Sequence, residues 1–443
     1  FDATGLVVAP GFIDLHAHGD PTETPDFANF LAQGVTTIVL GQDGSSPDPT
    51  SFPATLDAVD AARPALNVAY LVGHNTIRRA SGVDFGEPDA AGLERMAGLV
   101  EQALDAGAFG LSTGLEYTPG NQAAMAELTA IAEPVAAVDG VVMSHLRSED
   151  ADQIDASVAE LLEQGRRSGA RVHVSHAKIV LEADPSAAER VLAAFDAARA
   201  DGVRVTADLY PYTASFTGIS ILFPDWARGP TPYADVVRDR RPELEAHLRA
   251  RVGARNGPEA TLFGSGPWSG LTLAEAAARE ERPFEDLLVE LGPGGASAAY
   301  FVMDEDVMKR FLVDPYVAVS SDGSPTMSHP RGYGSFARVL GTFVGESGIL
   351  TLEEAVRKMS SLPASILGLD DPERVGVPRG VVREGMAADL VVFDPAEVRD
   401  RADFETPHTL AVGMRAVWVG GEPAWMDGAP VERPGSGRVL RRR

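Results

Sequence analysis

Short apolar runs with strand character alternate with Ala-, Glu-, Arg- and Leu-rich runs of helical spacing over most of the chain. The strand candidates are 11–16, 36–41, 67–73, 108–113, 141–146, 171–177, 203–210, 299–303 and 317–321. Helical spacing stands out over 90–106, 151–168 and 186–201. Alternation on this scale argues for a parallel sheet, open or closed, because parallel neighbours need a crossover between them. The polar residues gather at the C-terminal ends of the strands, where a (β/α)8 barrel keeps its site. The expected class is therefore α/β with a (β/α)8 TIM-like barrel. Nine candidates compete for eight barrel positions, and 67–73 and 108–113 contend for the third.

Two regions break the rhythm. The stretch 220–298 carries Pro and Trp, a charged helical segment at 239–252 and Gly-Pro-rich pieces, and reads as an inserted lid over the barrel mouth. From about 376 the pattern turns to short strands at Gly380–Val382, Ala388–Phe393 and Ala416–Val419, as in a small β-sandwich domain. The expected division is a barrel over 10–375 with the insertion at about 220–298, and a remnant of the β-domain from 1–9 plus 376–443. The chain opens at Phe1 in mid-pattern, so a leader or a first half of the β-domain upstream is part of the expectation.

Composition narrows the partners. A net charge of −26 argues against nucleic acid and against an anionic membrane surface. No run approaches the roughly 20 apolar residues of a membrane span. There is no cysteine, which is compatible with a cytoplasmic protein and leaves His, carboxylate or Tyr as the only metal donors. The expected partner is a small molecule, and the sequence sets no oligomeric state.

Six features sit at the ends of strand candidates: His16-x-His18; Gly41-Gln42-Asp43-Gly44; Ser144 to Glu149; Val174 to Lys178; Asp208 to Tyr212; and Ser320 to Gly323. Residues two apart on a strand point the same way, so His16 and His18 face one side and can share a divalent metal such as zinc. Alone, such a pair is more often two surface histidines. Histidines on later strands and a carboxylate on the last can converge with them on one metal and water, and Asp322 can take that water's proton. There is no GxSxG elbow and no GxxxxGK[ST] loop, so a serine nucleophile and a phosphate loop are not expected.

In order and context these motifs resemble the amidohydrolase superfamily, and within it the N-acyl-D-amino-acid deacylases, or D-aminoacylases. The stretches are GFIDLHAH, GVTTIVLGQDG, NVAYLVGHNTIR, GLSTGLEY, SHLRSED, VSHAK, ADLYPYTAS, YFVMDE, SSDGSP, HPRGYGSFARVLG and GMAADLVVFDP, spread over nearly the whole chain. The resemblance implies a metal-dependent hydrolase barrel with one or two zinc ions. It implies His16 and His18 as first-strand ligands, His176 as the fifth-strand ligand of the tight zinc, and Asp322 as general base. The chain departs from the family twice. Asp43 stands where the family has a ligating cysteine, and Tyr210 stands where the sixth-strand histidine is expected. His145 is the candidate to fill that gap, with a substrate-orienting role standing level. Lys178 reads as electrostatic or structural. His74 reads as structural as readily as functional. His173, of odd parity against His176, is expected to face away from the barrel interior and, with His247 and His408, to be a bystander.

A substrate carboxylate is held best by an arginine fork with tyrosine hydroxyls. Arg331 and Tyr212 come first as candidates, followed by Arg147, Tyr300 and Tyr117. The function implied is zinc-dependent hydrolysis of N-acyl-D-amino acids to a carboxylate and a free D-amino acid. The rivals are D-dipeptides or cyclic amides on the same chemistry, as in dihydroorotase and hydantoinase relatives, and a non-catalytic binding protein on a decayed amidohydrolase scaffold.

Overall fold

The computed structural model describes residues 1–431 and 435–443. Its centre is a ring of eight parallel strands. In chain order they are Phe12–Asp14, Val35–Leu40, Asn67–Tyr70 continued as Val72–Gly73, Gly110–Gly114, Val141–His145, Arg171–Val174, Val205–Leu209 and Val317–Val319. The fourth to eighth strands pair in sequence order. The first three form a second run. The third strand joins the two runs through its break at Leu71. The ring closes between the last strand and the first, where Asp322 N–H donates to His16 O at 2.8 Å and His18 N–H to Gly323 O at 2.8 Å.

The strand sequences explain this arrangement. Val35-Thr36-Thr37-Ile38-Val39-Leu40 is β-branched up to its last residue and buried at every position, the mark of a parallel strand covered on both faces. Alternate residues divide between two cores. Ile38, Leu40, Val172, Val174 and Ala207 pack in the layer between strands and helices, whereas Ile13, Val39, Leu71, Val141, Met143 and Ala318 fill the ring itself. The helices close with ordinary signals: Asp89 caps Ala90–Asp105 by accepting from Gly92 N–H at 2.7 Å, and Gly169, at φ 76°, ends Ile154–Ser168.

Three expectations about elements are corrected. The candidates 67–73 and 108–113 do not compete, because both are barrel strands. The surplus candidate is 299–303. It lies in Ser297–Tyr300, the middle strand of an antiparallel sheet with Ser215–Gly218 and Thr261–Phe263. A short apolar run identifies a strand but not the sheet that receives it. Gly380–Val382 is not a strand, and Val381 and Val382 are exposed.

The small antiparallel sheet belongs to the segment between the seventh and eighth barrel strands. That segment also holds the helices Tyr233–Ala254, Leu273–Glu280 and Phe284–Leu291 around its own core, which includes Phe263, Leu244, Leu248 and Leu288. Its start, at Ser215–Gly218, forms one wall of the barrel mouth. Outside the barrel, Val7–Pro10, Leu390–Phe393, Met414–Val419, Glu422–Met426 and Ala429–Pro430 make a five-stranded antiparallel sheet. Its apolar face, Val391, Phe393, Val417 and Val419, joins the strand–helix core. No helix among the described residues is long and apolar enough to cross a membrane.

Candidate functional site

The strands end where the chemistry begins. His16 and His18 follow the first strand, Asp43 the second, Glu116 the fourth, Glu149 the fifth, His176 and Lys178 the sixth, Tyr210 the seventh and Asp322 the eighth, while His145 is the last residue of the fifth. All of these except the fully buried His16 line one cavity of about 930 Å³ at the mouth of the ring. Three of the turns are sharp. Asp43, His176 and Asp322 are non-glycine residues at φ 53°, 39° and 48°, a left-handed conformation that persists only where surrounding contacts hold it. Around Asp43 the glycines are required. A Cβ on Gly41, at φ 80°, would sit 2.1 Å from Leu71 O, and one on Gly44, at φ 76°, would sit 2.8 Å from Gly114 N.

Asp43 stands at the centre. Its Oδ2 lies 3.3 Å from His16 Nε2 and 3.4 Å from His18 Nε2. Its Oδ1 lies 3.3 Å from His176 Nε2 and 3.8 Å from His145 Nδ1. One carboxylate therefore faces two imidazole pairs with different oxygens. Asp322 Oδ1 closes the first group, 3.1 Å from His18 Nε2, and its Oδ2 pairs with Arg331 at 2.9 Å. In the second group His145 and His176 approach to 2.9 Å. Glu116 takes the far nitrogen of His145 at 3.0 Å. Glu149 lies 3.1 Å from His176 Nδ1 and 2.6 Å from Lys178 Nζ.

Electrostatics favours a cation here. Burial opposes charge on the imidazoles, yet the hydrogen bonds of Asp322 and Asp43 raise His18 to about 9. For His176, burial and then Lys178 oppose charge, and Glu149 and Asp43 outweigh them, raising it to about 10. Burial likewise pushes against ionisation of Asp43 and Asp322, but the imidazoles around Asp43, and Arg331 with His16 beside Asp322, hold both carboxyls well below the usual range. The donors fit a divalent metal such as zinc: four imidazoles and two carboxylates in overlapping groups, each with ligand atoms within 4.8 Å of one another.

Beneath the cluster, Asp208 supports His176. It accepts the His176 backbone N–H at 2.9 Å, the Ser320 hydroxyl at 2.5 Å and His173 Nε2–H at 2.7 Å. Asp14 accepts His16 N–H at 3.1 Å and Ser321 N–H at 3.0 Å, and burial raises it to about 7. His173 thus faces into the barrel, against expectation. Strand geometry ends at Val174, so parity counted through to His176 is lost. The strand count also reassigns two residues. His145 is on the fifth strand, His176 follows the sixth and Tyr210 follows the seventh, so no histidine is missing from the sixth position.

The expected substrate residues divide. Arg331 is 2% exposed, lines the cavity and donates from Nη2 to Phe216 O at 3.1 Å, while its buried Nε has no hydrogen-bond partner among the described residues. Tyr117 lines the cavity with its ring against His145, and its hydroxyl pairs with Thr217 at 3.0 Å. Tyr212, Tyr300 and Arg147 do not line it. Tyr212 donates to Asp400 at 3.3 Å. Tyr300 is buried in the insertion's core. Arg147 spends its donors on Glu160 and on the carbonyls of Asn121 and Ala123. His74 is buried against Glu127, which also binds Arg78. Glu116 and Glu149 went unrecognised in sequence; their only signal is a position just past a strand end.

The Amidohydrolase family matches residues 1–221 and 312–424, leaving out most of the inserted segment. The chain is 37% identical over 473 residues to an N-acyl-D-glutamate deacylase of Alcaligenes xylosoxydans xylosoxydans, covering 100% of this chain and 88% of that protein. A D-aminoacylase of the same organism is 35% identical with the same coverage. Among solved structures, the N-acyl-D-glutamate deacylase from Bordetella bronchiseptica, complexed with zinc and a phosphonate mimic of the tetrahedral intermediate, superposes with a TM-score of 0.84. It is 36% identical, covering 100% of this chain and 90% of that one.

Proposed function

This chain belongs to the amidohydrolase family, and from that premise we propose that it is a zinc-dependent N-acyl-D-amino-acid deacylase, releasing a carboxylate and a free D-amino acid. The observation that carries the reading is the single mouth cavity in which Asp43 faces two imidazole pairs while Asp322 and Arg331 stand joined beside them. His16, His18, Asp43, His145 and His176 would hold one or two zinc ions. Bound there, zinc supplies Lewis acidity that polarises the acyl carbonyl and acidifies water. Asp322, kept ionised by Arg331 and His16 against its burial, accepts the proton of the attacking water and returns it to the departing nitrogen. Arg331, which lines the cavity, receives the substrate's α-carboxylate through the Nη N–H groups that Asp322 and Phe216 O leave over. Glu116 and Glu149 fix the orientation of His145 and His176 through their far nitrogens. Handedness is supported by the relatives, which are named for D-amino acids.

The test is zinc analysis of the purified protein together with hydrolysis of N-acetyl-D- and N-acetyl-L-amino acids before and after chelation. The expected result is bound zinc and chelator-sensitive, D-selective release of amino acid. Zinc-loaded protein that opens cyclic amides or cleaves D-dipeptides but leaves every acyl-D-amino acid intact would overturn the reading.

A further inference from the structure

The mouth cavity is larger than the smallest substrate of this reaction needs. Its volume of about 930 Å³ is near the top of the range, roughly 300–1,000 Å³, that encloses ligands of drug size, whereas an N-acetyl amino acid is far smaller. Part of the surplus lies away from Arg331, between the helix Phe52–Ala62 and the mouth ends of the second and third barrel strands. Ala54 and Ala58, four residues and so about one turn apart, face it from the helix; Leu40, Val59 and Tyr70 form its floor and Pro47 its rim. The floor residues belong to the strand–helix core, so the crevice is an opening of that apolar layer into the site. Both alanines are exposed: no group among the described residues covers them, and larger side chains there would occupy the space. The Tyr70 hydroxyl lies near Asp20 at the edge of the cavity, and two further hydroxyls beside the crevice are spent on the backbone. Ser46 donates to Pro47 O at 2.8 Å and accepts from Gly73 N–H at 2.9 Å, and Thr55 donates to Ser51 O at 3.3 Å.

Orientation follows from the bond that is cleaved. The departing nitrogen must meet Asp322, and the α-carboxylate meets Arg331, 2.9 Å from Asp322. The amino-acid half therefore lies on the side of the eighth strand, where Arg331 also donates to Phe216 O at 3.1 Å. The acyl substituent leaves the carbonyl carbon on the other side, past Asp43, towards the second and third strands. We propose that the crevice is an acyl subsite that takes an unbranched aliphatic chain longer than acetyl. The proposal rests on the deacylase reading and adds the acyl group to it.

The experiment compares N-acetyl, N-butanoyl, N-hexanoyl and N-octanoyl derivatives of one D-amino acid on the zinc-loaded protein. Full burial is worth about fourfold per methylene; for a partly open crevice kcat/KM is expected to rise on the order of tenfold to hundredfold from acetyl to hexanoyl. In Ala58→Phe, and separately in Ala54→Phe, the hexanoyl-to-acetyl ratio measured within each protein is expected to collapse to about one. Inhibition by the product carboxylates gives a second readout: hexanoate is expected to compete at least tenfold better than acetate in the wild type and no better in the variants. Acetyl hydrolysis with no gain from longer chains overturns the acyl subsite and leaves the deacylase reading standing. A gain that survives both substitutions also overturns it. No turnover of any acyl-D-amino acid overturns both.

Discussion

Asp43→Asn removes one negative charge from between the two imidazole pairs while keeping the shape of the side chain. At the 3.3 Å that separates Asp43 from the Nε2 atoms of His16 and His176, a unit charge is worth about 5 kcal/mol at an effective dielectric constant of about 20. The amide oxygen keeps part of this as a dipole. If half is lost, about 2.5 kcal/mol disappears per unit of positive charge, roughly 70-fold in an equilibrium constant. A divalent ion, with two such charges, should therefore be held on the order of 10³- to 10⁴-fold more weakly. Because the two oxygens face different pairs, the loss should fall on both. The assay equilibrates wild type, Asp43→Asn and His145→Ala with zinc buffered by graded chelator, followed by elemental analysis of bound metal. His145→Ala should weaken only its own side. Wild-type zinc retention by Asp43→Asn would refute the two-sided role, and so would a loss confined to one pair.

Asp322→Asn should lower kcat by about 10²- to 10⁴-fold, the range for a lost general base, while zinc retention falls far less than in Asp43→Asn because Arg331 already answers the Asp322 charge at 2.9 Å; elemental analysis beside single-substrate kinetics separates a base from a ligand. Arg331→Met should cost on the order of 10²-fold in kcat/KM on N-acyl-D-amino acids, as expected when one partner of a buried charged contact is removed, whereas Tyr212→Phe, whose hydroxyl is engaged by Asp400, should change kcat/KM less than about twofold and act on thermal stability alone. Lys358 is buried, which lowers it to about 8, and it donates to the carbonyls of Asp314 and Val317. Between that value and an unfolded value of about 10.4 the unfolded chain binds the proton and the folded protein does not, so this residue's contribution to stability rises with pH across the window and is flat below it. Lys358→Met should therefore lower the melting temperature at pH 7 and widen its deficit against wild type by pH 9.5; a constant deficit would refute the neutral folded lysine.

The barrel class was legible because strand–helix alternation with buried β-branched runs leaves few alternatives. The candidate site was legible in part because His16, His18, Asp43, His145, His176 and Asp322 are polar residues at the ends of apolar runs, where a barrel exposes side chains to its mouth. The strand tally was not legible. Ser297–Tyr300 is as apolar as a barrel strand but pairs antiparallel in the insertion, and counting it while setting 67–73 and 108–113 against each other for one position displaced His176 and Tyr210 by one position each. The Gly292 to Gly295 stretch and the Trp and Pro residues marked the insertion, but its first strand begins at Ser215, inside what reads as the tail of the seventh barrel strand and its loop.

What the sequence by itself determined are properties local to a few residues: the alternation, the residue types at strand ends, the absence of thiolate ligands, and the glycines around Asp43. Partnership was decided by the tertiary structure. Tyr212 and Arg331 are equally plausible carboxylate anchors in sequence, yet Asp400, distant along the chain, engages the first, while folding joins the second to Asp322 inside the cavity. His173 points inward by alternation with Val172 and Val174, and its parity against His176 fails because the strand stops at Val174 and the chain passes through a left-handed turn at His176. The physical reason is one of range. Periodicity and residue type report which face a side chain prefers, but hydrogen bonds and ion pairs are made between segments that only closure of the ring brings together, and those contacts set which charges are answered within the protein and which are left to meet a metal or a substrate.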